Sequence, residues 1–301
     1  MNSIQRIRPY LLPSTQGIIT SKERILILGA NGWFGKTFRS MLDESVPCLF
    51  ISSVEAEGSR QWDQEIVQNF KPTLVANFAF KTRHKLSSIP RAQYISENLA
   101  LLKRLEFASN LTSVKAIVTV SSGAATHPLA QQGLTSVEIY GALKKLEEEV
   151  VKEAKTDQRA SIILRAYSMS GPFVRDKRKY AFSSFIDDAA RGEKIVINSP
   201  MAVFRRYISV GDLLLVALIR ASQGWSGVIE SGGQLLEIED LARLISASLG
   251  GSVTGRTVNT AMKPDYYFSD NMSWEQNITE LGFEPLTLLE QISSTAKFLR
   301  S

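Results

Sequence analysis

Tyr140 and Lys144 stand four residues apart in Tyr140-Gly-Ala-Leu-Lys144, inside a segment read as a helix over residues 136–155. Residues at that spacing share one helix face, so a phenol and an ammonium can point into one cleft. An ammonium beside a phenol favours the phenolate and is expected to lower its pKa from about 10 toward neutrality. Tyr140 would then serve as a general acid/base for a hydroxyl or carbonyl. Ser122 closes the strand-like run 115–120 and its Ser121-Ser122-Gly123 end, where its hydroxyl could bond the same substrate oxygen. A tyrosine and a lysine so spaced are commonplace on solvated helices. Their weight here comes from a second pattern upstream.

That pattern is Arg24-Ile-Leu-Ile-Leu-Gly29-Ala-Asn-Gly32-Trp-Phe-Gly35. Residues 25–28 read as a buried strand, and residues 36–42 as a helix. Strand, glycine turn and helix form the opening of a dinucleotide-binding βαβ unit. Gly29 would allow the tight turn, Gly32 the approach of backbone to pyrophosphate, and Gly35 the packing of helix on strand. Phosphates would sit at the helix N-terminus, where unpaired N–H groups and the macrodipole favour anions. Asn31 lies in the same turn. Trp33 and Phe34 are read as helix-to-sheet packing ahead of stacking on adenine.

The elements that must position these groups follow in alternation. Strands are expected at 48–52, 73–79, 115–120 and 161–165, and helices at 65–70, 92–109 and 136–155, with Leu99, Leu102 and Leu105 marking a helical period. Such alternation argues for a parallel sheet covered on both faces. Beyond Arg165 the pattern loosens. Helices are expected at 182–191, 211–221, 238–249 and 288–300, and short strands at 194–198 and 206–210. The fold class is therefore α/β: a Rossmann-type doubly wound parallel sheet with a smaller C-terminal α/β substrate domain. Residues 22–165 would form the first domain, joined by a return of 206–222, and residues 166–301 most of the second.

The chain has 301 residues, 44% hydrophobic and 22% charged, which is the composition of an ordinary globular protein. A net charge of +5 is mild. The basic cluster of Arg175, Lys177, Arg178 and Lys179 reads as a solvated loop before an anion contact, and no nucleic-acid partner is expected. Cys48 is the single cysteine, so an intramolecular disulfide and a thiolate metal cluster are excluded, as suits a reducing cytoplasm. No apolar run approaches the roughly 18 residues that span a bilayer, so no membrane partner is expected. Residues 1–21 lack the apolar core and cleavage site of a signal peptide and are read as a poorly ordered or peripheral extension, to which the sequence assigns no role.

At this point the chain resembles the extended short-chain dehydrogenase/reductases, in particular the NAD-dependent epimerase/dehydratase group acting on nucleotide sugars. The resemblance runs from Arg24 to Ser301. It rests on the Gly29, Gly32, Gly35 turn, the Asn77-Phe-Ala79 strand end, Asn98, Ser121-Ser122 and Tyr140/Lys144. It continues in Arg165-Ala-Tyr-Ser-Met-Ser-Gly-Pro172 and Arg205-Arg-Tyr-Ile-Ser-Val-Gly-Asp212. The stretch from Trp62 to Phe80 looks like the nucleotide-sugar 4-ketoreductase branch.

The resemblance implies a Ser122/Tyr140/Lys144 catalytic set at the nicotinamide, with Lys144 also holding its ribose. Cofactor contacts would come from the glycine turn, from Ser52 and Ser53, from Phe78, Ala79 and Phe80, and from Val120 and Ser121. Asn98 would brace the active-site strand from inside the cofactor domain, as a backbone-holding amide or in direct contact. Arg205 matches the arginine that clamps the substrate diphosphate, a task suited to a planar, always-charged fork. Ser168 stands where these enzymes often carry asparagine. His84, after the third strand, is a second-tier substrate contact, and His127 is read as solvated or locally bonded. No metal is expected.

Gly123-Ala124 follow the serine pair where 4,6-dehydratases carry Asp-Glu, which disfavours water elimination. Ser52-Ser53 lack the acid that binds the adenosine ribose in NAD enzymes, while Glu55, Glu57 and Arg60 lie close by; the cofactor is NAD or NADP, with a lean to NAD. The expected activity is a cytoplasmic epimerase or 4-ketoreductase of a nucleotide-activated sugar. The alternative is a non-catalytic NAD(P)-binding regulatory or assembly protein on the same fold. Apolar positions on the helices at 92–109 and 136–155 would permit a homodimer, as is common in the family.

Overall fold

The computed structural model describes residues 5–53, 58–126 and 135–301. His127, Glu55 and Glu57 lie outside them. The chain divides into a larger unit, residues 15–166 and 215–229, and a smaller one, residues 1–14, 167–214 and 230–301.

The larger unit carries a six-stranded sheet. Its elements are β1 (Ile25–Leu28), α1 (Trp33–Met41), β2 (Cys48–Ile51), α2 (Gln64–Phe70), β3 (Leu74–Asn77), α3 (Arg91–Ser109), β4 (Ala116–Ser122), α4 (Ser136–Glu153), β5 (Ala160–Ala166) and β6 (Gly227–Glu230). The strand order is β6-β5-β4-β3-β1-β2, and the pairs from β2 to β5 are parallel. β1 is buried at every residue because helices cover both faces of a parallel sheet. Leu26, Leu28, Val75, Ile117 and Ile163 meet Val67, Leu105, Ala108 and Val151 in one apolar cluster. Leu102 and Leu105 of α3 face inward as their spacing predicts, whereas Leu99 is 40% exposed. The order reverses beside β1, and ligands of such sheets bind beyond the strands' C-terminal ends at that reversal.

The smaller unit is built on a four-stranded sheet in which strand Val203–Ser209 is central. It pairs antiparallel with Gln234–Glu237 and parallel with Asp265–Tyr267 and Ser168–Ser170. Helices Ala181–Ala190, Ile238–Leu249 and Leu288–Arg300 pack a second core of Phe182, Phe185, Ile186, Leu241, Ile245 and Ile292. Since Val203–Ser209 belongs to this sheet, the return to the larger unit begins at residue 215 and not at 206. In the basic cluster, Arg175, Arg178 and Lys179 are exposed. Lys177 and Arg178 pair with Asp187, and Arg178 reaches Asp188, both acids of the helix that follows.

The N-terminal segment departs most from its expected peripheral role. Arg6–Ile7 and Leu12–Pro13 pair as an antiparallel hairpin, with Leu12 buried. Tyr10 sets its ring edge-on to Phe173 and Phe298, and its carbonyl accepts a hydrogen bond from Ser294. Arg6 donates to Asp212 at 2.6 Å, and Asp212, fully buried, also accepts from the backbone of Leu286. A buried carboxylate stripped of its cation is costly. Arg6→Ala should lower the stability of the smaller unit by about 3–5 kcal/mol in urea unfolding. The double variant Arg6→Ala/Asp212→Asn should recover part of that loss. Unchanged unfolding of the single variant would mean that the hairpin does not neutralise Asp212.

Among the described residues, no helix is long and apolar enough to cross a membrane.

Candidate active site

β1 delivers its chain into Gly29, whose φ of +80° is one that a side chain resists. A Cβ there would also lie 2.6 Å from the Ala79 nitrogen, because the backbone leaving β3 passes directly against the turn. At Gly35 a Cβ would fall 2.4 Å from the Gly29 carbonyl oxygen. The glycines therefore allow α1 to start immediately over the ends of β1 and β3. Gly32 caps α1 and offers no side-chain acceptor to its first-turn amides. This cradle fits a dinucleotide pyrophosphate, which takes up such N–H groups. Phe34 packs 6.2 Å from Phe78 beyond β3, and Trp33 lies 6.4 Å from Phe34 on the same helix.

Asn31 donates to the Ser59 hydroxyl at 3.0 Å. Ser59 and Arg60 form an added edge along β2, with Ser52 N–H donating to the Arg60 carbonyl and Arg60 N–H to that of Phe50. Ser53 and Arg60 are exposed at this end, and Arg39 lies with its guanidinium 4.6 Å over the Phe50 ring. The edge at Ser59-Arg60 was not legible, since two residues of bridge carry no periodicity.

β4 carries Ser122, and α4 carries Tyr140 and Lys144. Thr135 and Glu138 form a reciprocal capping box that fixes where α4 begins. The Thr-x-x-Glu spacing is visible in the sequence and marks Tyr140 as a second-turn residue. Gly141 lets that turn close on the chain after β4, because a Cβ there would stand 2.3 Å from the Ala124 carbonyl oxygen. Tyr140 makes a hydrogen bond with Ser122 and sets its ring edge-on to Phe80, with centroids 5.6 Å apart. One turn further on, Lys144 donates to the Val120 carbonyl at 2.7 Å and lies 3.8 Å above the Phe80 ring. Ser122, Tyr140, Lys144, Val120 and Phe80 thus meet within the larger unit, at the C-terminal ends of β3 and β4.

Lys144 also pairs with Glu147 at 2.6 Å, and both side chains are buried. Glu147 accepts in addition from Thr119 Oγ1 and Asn77 Nδ2, each at 2.6 Å. The next residue, Glu148, accepts from Ser121 and takes a two-pronged contact from Arg165. Burial works against that carboxylate, yet Arg165 and Ser121 hold it below its ordinary range. Neither acid was foreseen. Ser121 is therefore engaged with Glu148, and Asn77 with Glu147.

The expectation that Lys144 lowers the Tyr140 phenol is corrected here. Burial, the largest cause, pushes the phenol up to about 12; the Ser122 hydrogen bond and Arg83 oppose the rise, and the Glu147 carboxylate adds to it. Lys144 is itself ion-paired with Glu147.

Asn98 is fully buried and accepts from the Lys81 amide at 2.9 Å while donating to the Tyr94 carbonyl. It holds the backbone that follows Phe80. His84 lies in a short helical turn at Arg83–Ser87, with its carbonyl accepting from Ser87. Arg205 and Ser168 belong to the smaller unit. Arg205 is mostly buried, pairs with Asp265 at 2.6 Å and lies near the Tyr267 ring. Ser168 is half-buried opposite Tyr207 in the sheet.

A family model described as the NAD dependent epimerase/dehydratase family matches residues 25–227. The chain belongs to that family. Its members are enzymes of the extended short-chain dehydrogenase/reductase class. Among solved structures, MoeE5 in complex with UDP-glucose and NAD shares 18% identity over 92% of this chain and 98% of its own, with a TM-score of 0.66. The UDP-N-acetylglucosamine 4-epimerase of Methanobrevibacter ruminantium, in complex with UDP-N-acetylmuramic acid, shares 18% identity over 92% and 98%, with a TM-score of 0.69. The UDP-glucose 4-epimerase of Thermus thermophilus, in complex with NAD, shares 17% identity over 92% and 99%, with a TM-score of 0.68. Identities this low show a common fold. No curated protein matches the sequence.

The raised phenol has a measurable consequence. Folded Tyr140 titrates at about 12, whereas an unfolded tyrosine titrates at about 10. The folded state therefore holds its proton across that interval, and stability falls as pH rises through it. Wild-type protein should lose stability relative to Tyr140→Phe from about pH 10 upward in urea unfolding. A difference between the two that stays constant with pH would mean that the phenol is solvated.

Proposed function

We propose that this member of the family is an epimerase or 4-ketoreductase of a nucleotide-activated sugar, with NAD as its dinucleotide and Tyr140 as the group that moves the proton. The observation that carries the reading is the hydrogen bond joining Tyr140 to Ser122 on the strand edge that also bears the glycine cradle. A bound nicotinamide supplies the hydride acceptor or donor. Ser122 orients the sugar oxygen. Tyr140 takes the proton from a sugar hydroxyl on oxidation, or gives it to a ketone on reduction. Lys144, anchored on the Val120 carbonyl, would hold the nicotinamide ribose.

Arg205 of the smaller unit would hold the substrate diphosphate, exchanging its ion pair with Asp265 for a charge-assisted fork on phosphate. The nucleotide-sugar ligands named for MoeE5 and the M. ruminantium 4-epimerase support that substrate class. Gly123 and Ala124 after the serine pair offer no carboxylate for removing a second proton. Dehydration is therefore disfavoured against epimerisation and reduction.

Thermal stabilisation by UDP-, dTDP- and GDP-sugars, with NAD present, identifies the substrate, because a ligand bound only by the native state raises apparent stability. With that substrate, Tyr140→Phe should lower turnover by about a hundredfold or more and leave the Kd for NAD unchanged. Normal turnover in this variant would overturn the assignment. Net consumption of reduced cofactor with product separates a ketoreductase from an epimerase, and parallel titration with NADP tests the cofactor.

A further inference from the structure

Glu147 is a carboxylate that no step above uses. It is 1% exposed, two turns along α4 from Tyr140, and it receives three hydrogen bonds: from Lys144, Thr119 and Asn77. A buried charge with three aligned donors is a built feature, since each donor comes from a separate element: α4, β4 and β3. We propose that Glu147 is a positioning residue that neutralises Lys144, so that the nicotinamide end of the site is held at zero net charge by the pair. The inference rests on the family reading that Lys144 borders the nicotinamide.

Two of the three Lys144 donors are engaged. One donor meets the Val120 carbonyl, one meets Glu147, and the ammonium rests over Phe80. Burial pushes the Lys144 ammonium down and the Glu147 carboxyl up. Wherever the proton between them sits, the pair sums to zero. The other charged or titratable groups facing it are Tyr140, with Arg83 and Tyr94 beyond, and Glu148, which is matched by Arg165. Removing either member of the pair therefore leaves a charge that nothing nearby cancels.

Oxidised nicotinamide is a cation and reduced nicotinamide is neutral, so the ratio of their affinities reads the charge of the site without any substrate. We expect Glu147→Gln to weaken NAD+ relative to NADH by about tenfold at mildly acidic pH, as an uncancelled Lys144 cation would. The ratio should return toward the wild-type value at alkaline pH, as the unpaired lysine loses its proton. Lys144→Met should shift the ratio the opposite way, and Lys144→Met/Glu147→Gln should restore it. Ratios that stay within about twofold of wild type in both folded single variants, at every pH, would overturn the proposal and leave Glu147 a structural brace. A uniform loss of affinity for both forms would overturn it in the same way.

Should Glu147→Gln not fold, comparison of Lys144→Met with the double variant carries the same test, since the double variant buries no charge. Wild-type protein that binds neither NAD+ nor NADH would instead overturn the functional reading on which this one rests.

Discussion

A carboxylate cannot be buried between a helix and a parallel sheet unless donors converge on it, and that requirement fixes the centre of this protein. Glu147 meets it with Lys144 from its own helix, Thr119 from β4 and Asn77 from β3. The adjacent Glu148 meets it with Ser121 of β4 and Arg165 of β5. Two neighbouring acids thus tie one turn of α4 to three successive strands. A one-residue slip of α4 would exchange their partners and strand both charges. Tyr140 and Lys144 lie on the preceding turns of the same helix, so the polar lock that fixes the helix also fixes that phenol and ammonium.

This constraint explains why the strand ends carry polar residues where a parallel sheet is otherwise apolar. Val75, Ala76, Ile117 and Val118 fill the sheet's middle, and Asn77, Thr119, Ser121 and Ser122 follow at its C-terminal edge. Those side chains divide the work. Thr119, Asn77 and Ser121 satisfy the buried acids, and Ser122 alone among the four meets the phenol. On the other side of β3, the same edge turns against Gly29, whose missing side chain admits the Phe78-Ala79 backbone. The glycine cradle and the phenol are therefore set by opposite sides of one short strand.

The parts of this arrangement that depend on local pattern were legible in the sequence. Strand, glycine turn and helix announce themselves within a dozen residues, and Tyr140/Lys144 share a face by helical spacing alone. Glu147 was not legible, because Lys145-Leu-Glu-Glu-Glu149 reads as a solvated helix face. Glu149 is indeed half-exposed while its two neighbours are buried, a distinction set by partners on other elements. The Arg6–Asp212 pair escaped for the same reason. Its members stand 206 residues apart, and a buried aspartate next to a glycine looks like any turn. Long-range charge pairing leaves no periodicity to read. The expected lowering of the phenol failed on this point: a lysine's effect on its neighbour depends on what else holds the lysine.

Neutralising Lys144 changes what the phenol responds to. A permanent cation beside Tyr140 would favour the phenolate whatever the state of the cofactor. With that charge cancelled, the phenol stays protonated in the unliganded protein, at about 12. The variable charge near it is then that of the nicotinamide ring. On the proposed reading, Tyr140 would be the stronger acid beside an oxidised, cationic ring and could act as a base, and would hold its proton for delivery beside a reduced, neutral one. Sugar oxidation requires the first condition and ketone reduction the second, and an epimerase must pass through both in one cycle. A site of zero resident charge would let one phenol serve the two half-reactions, each matched to the cofactor state in which it occurs.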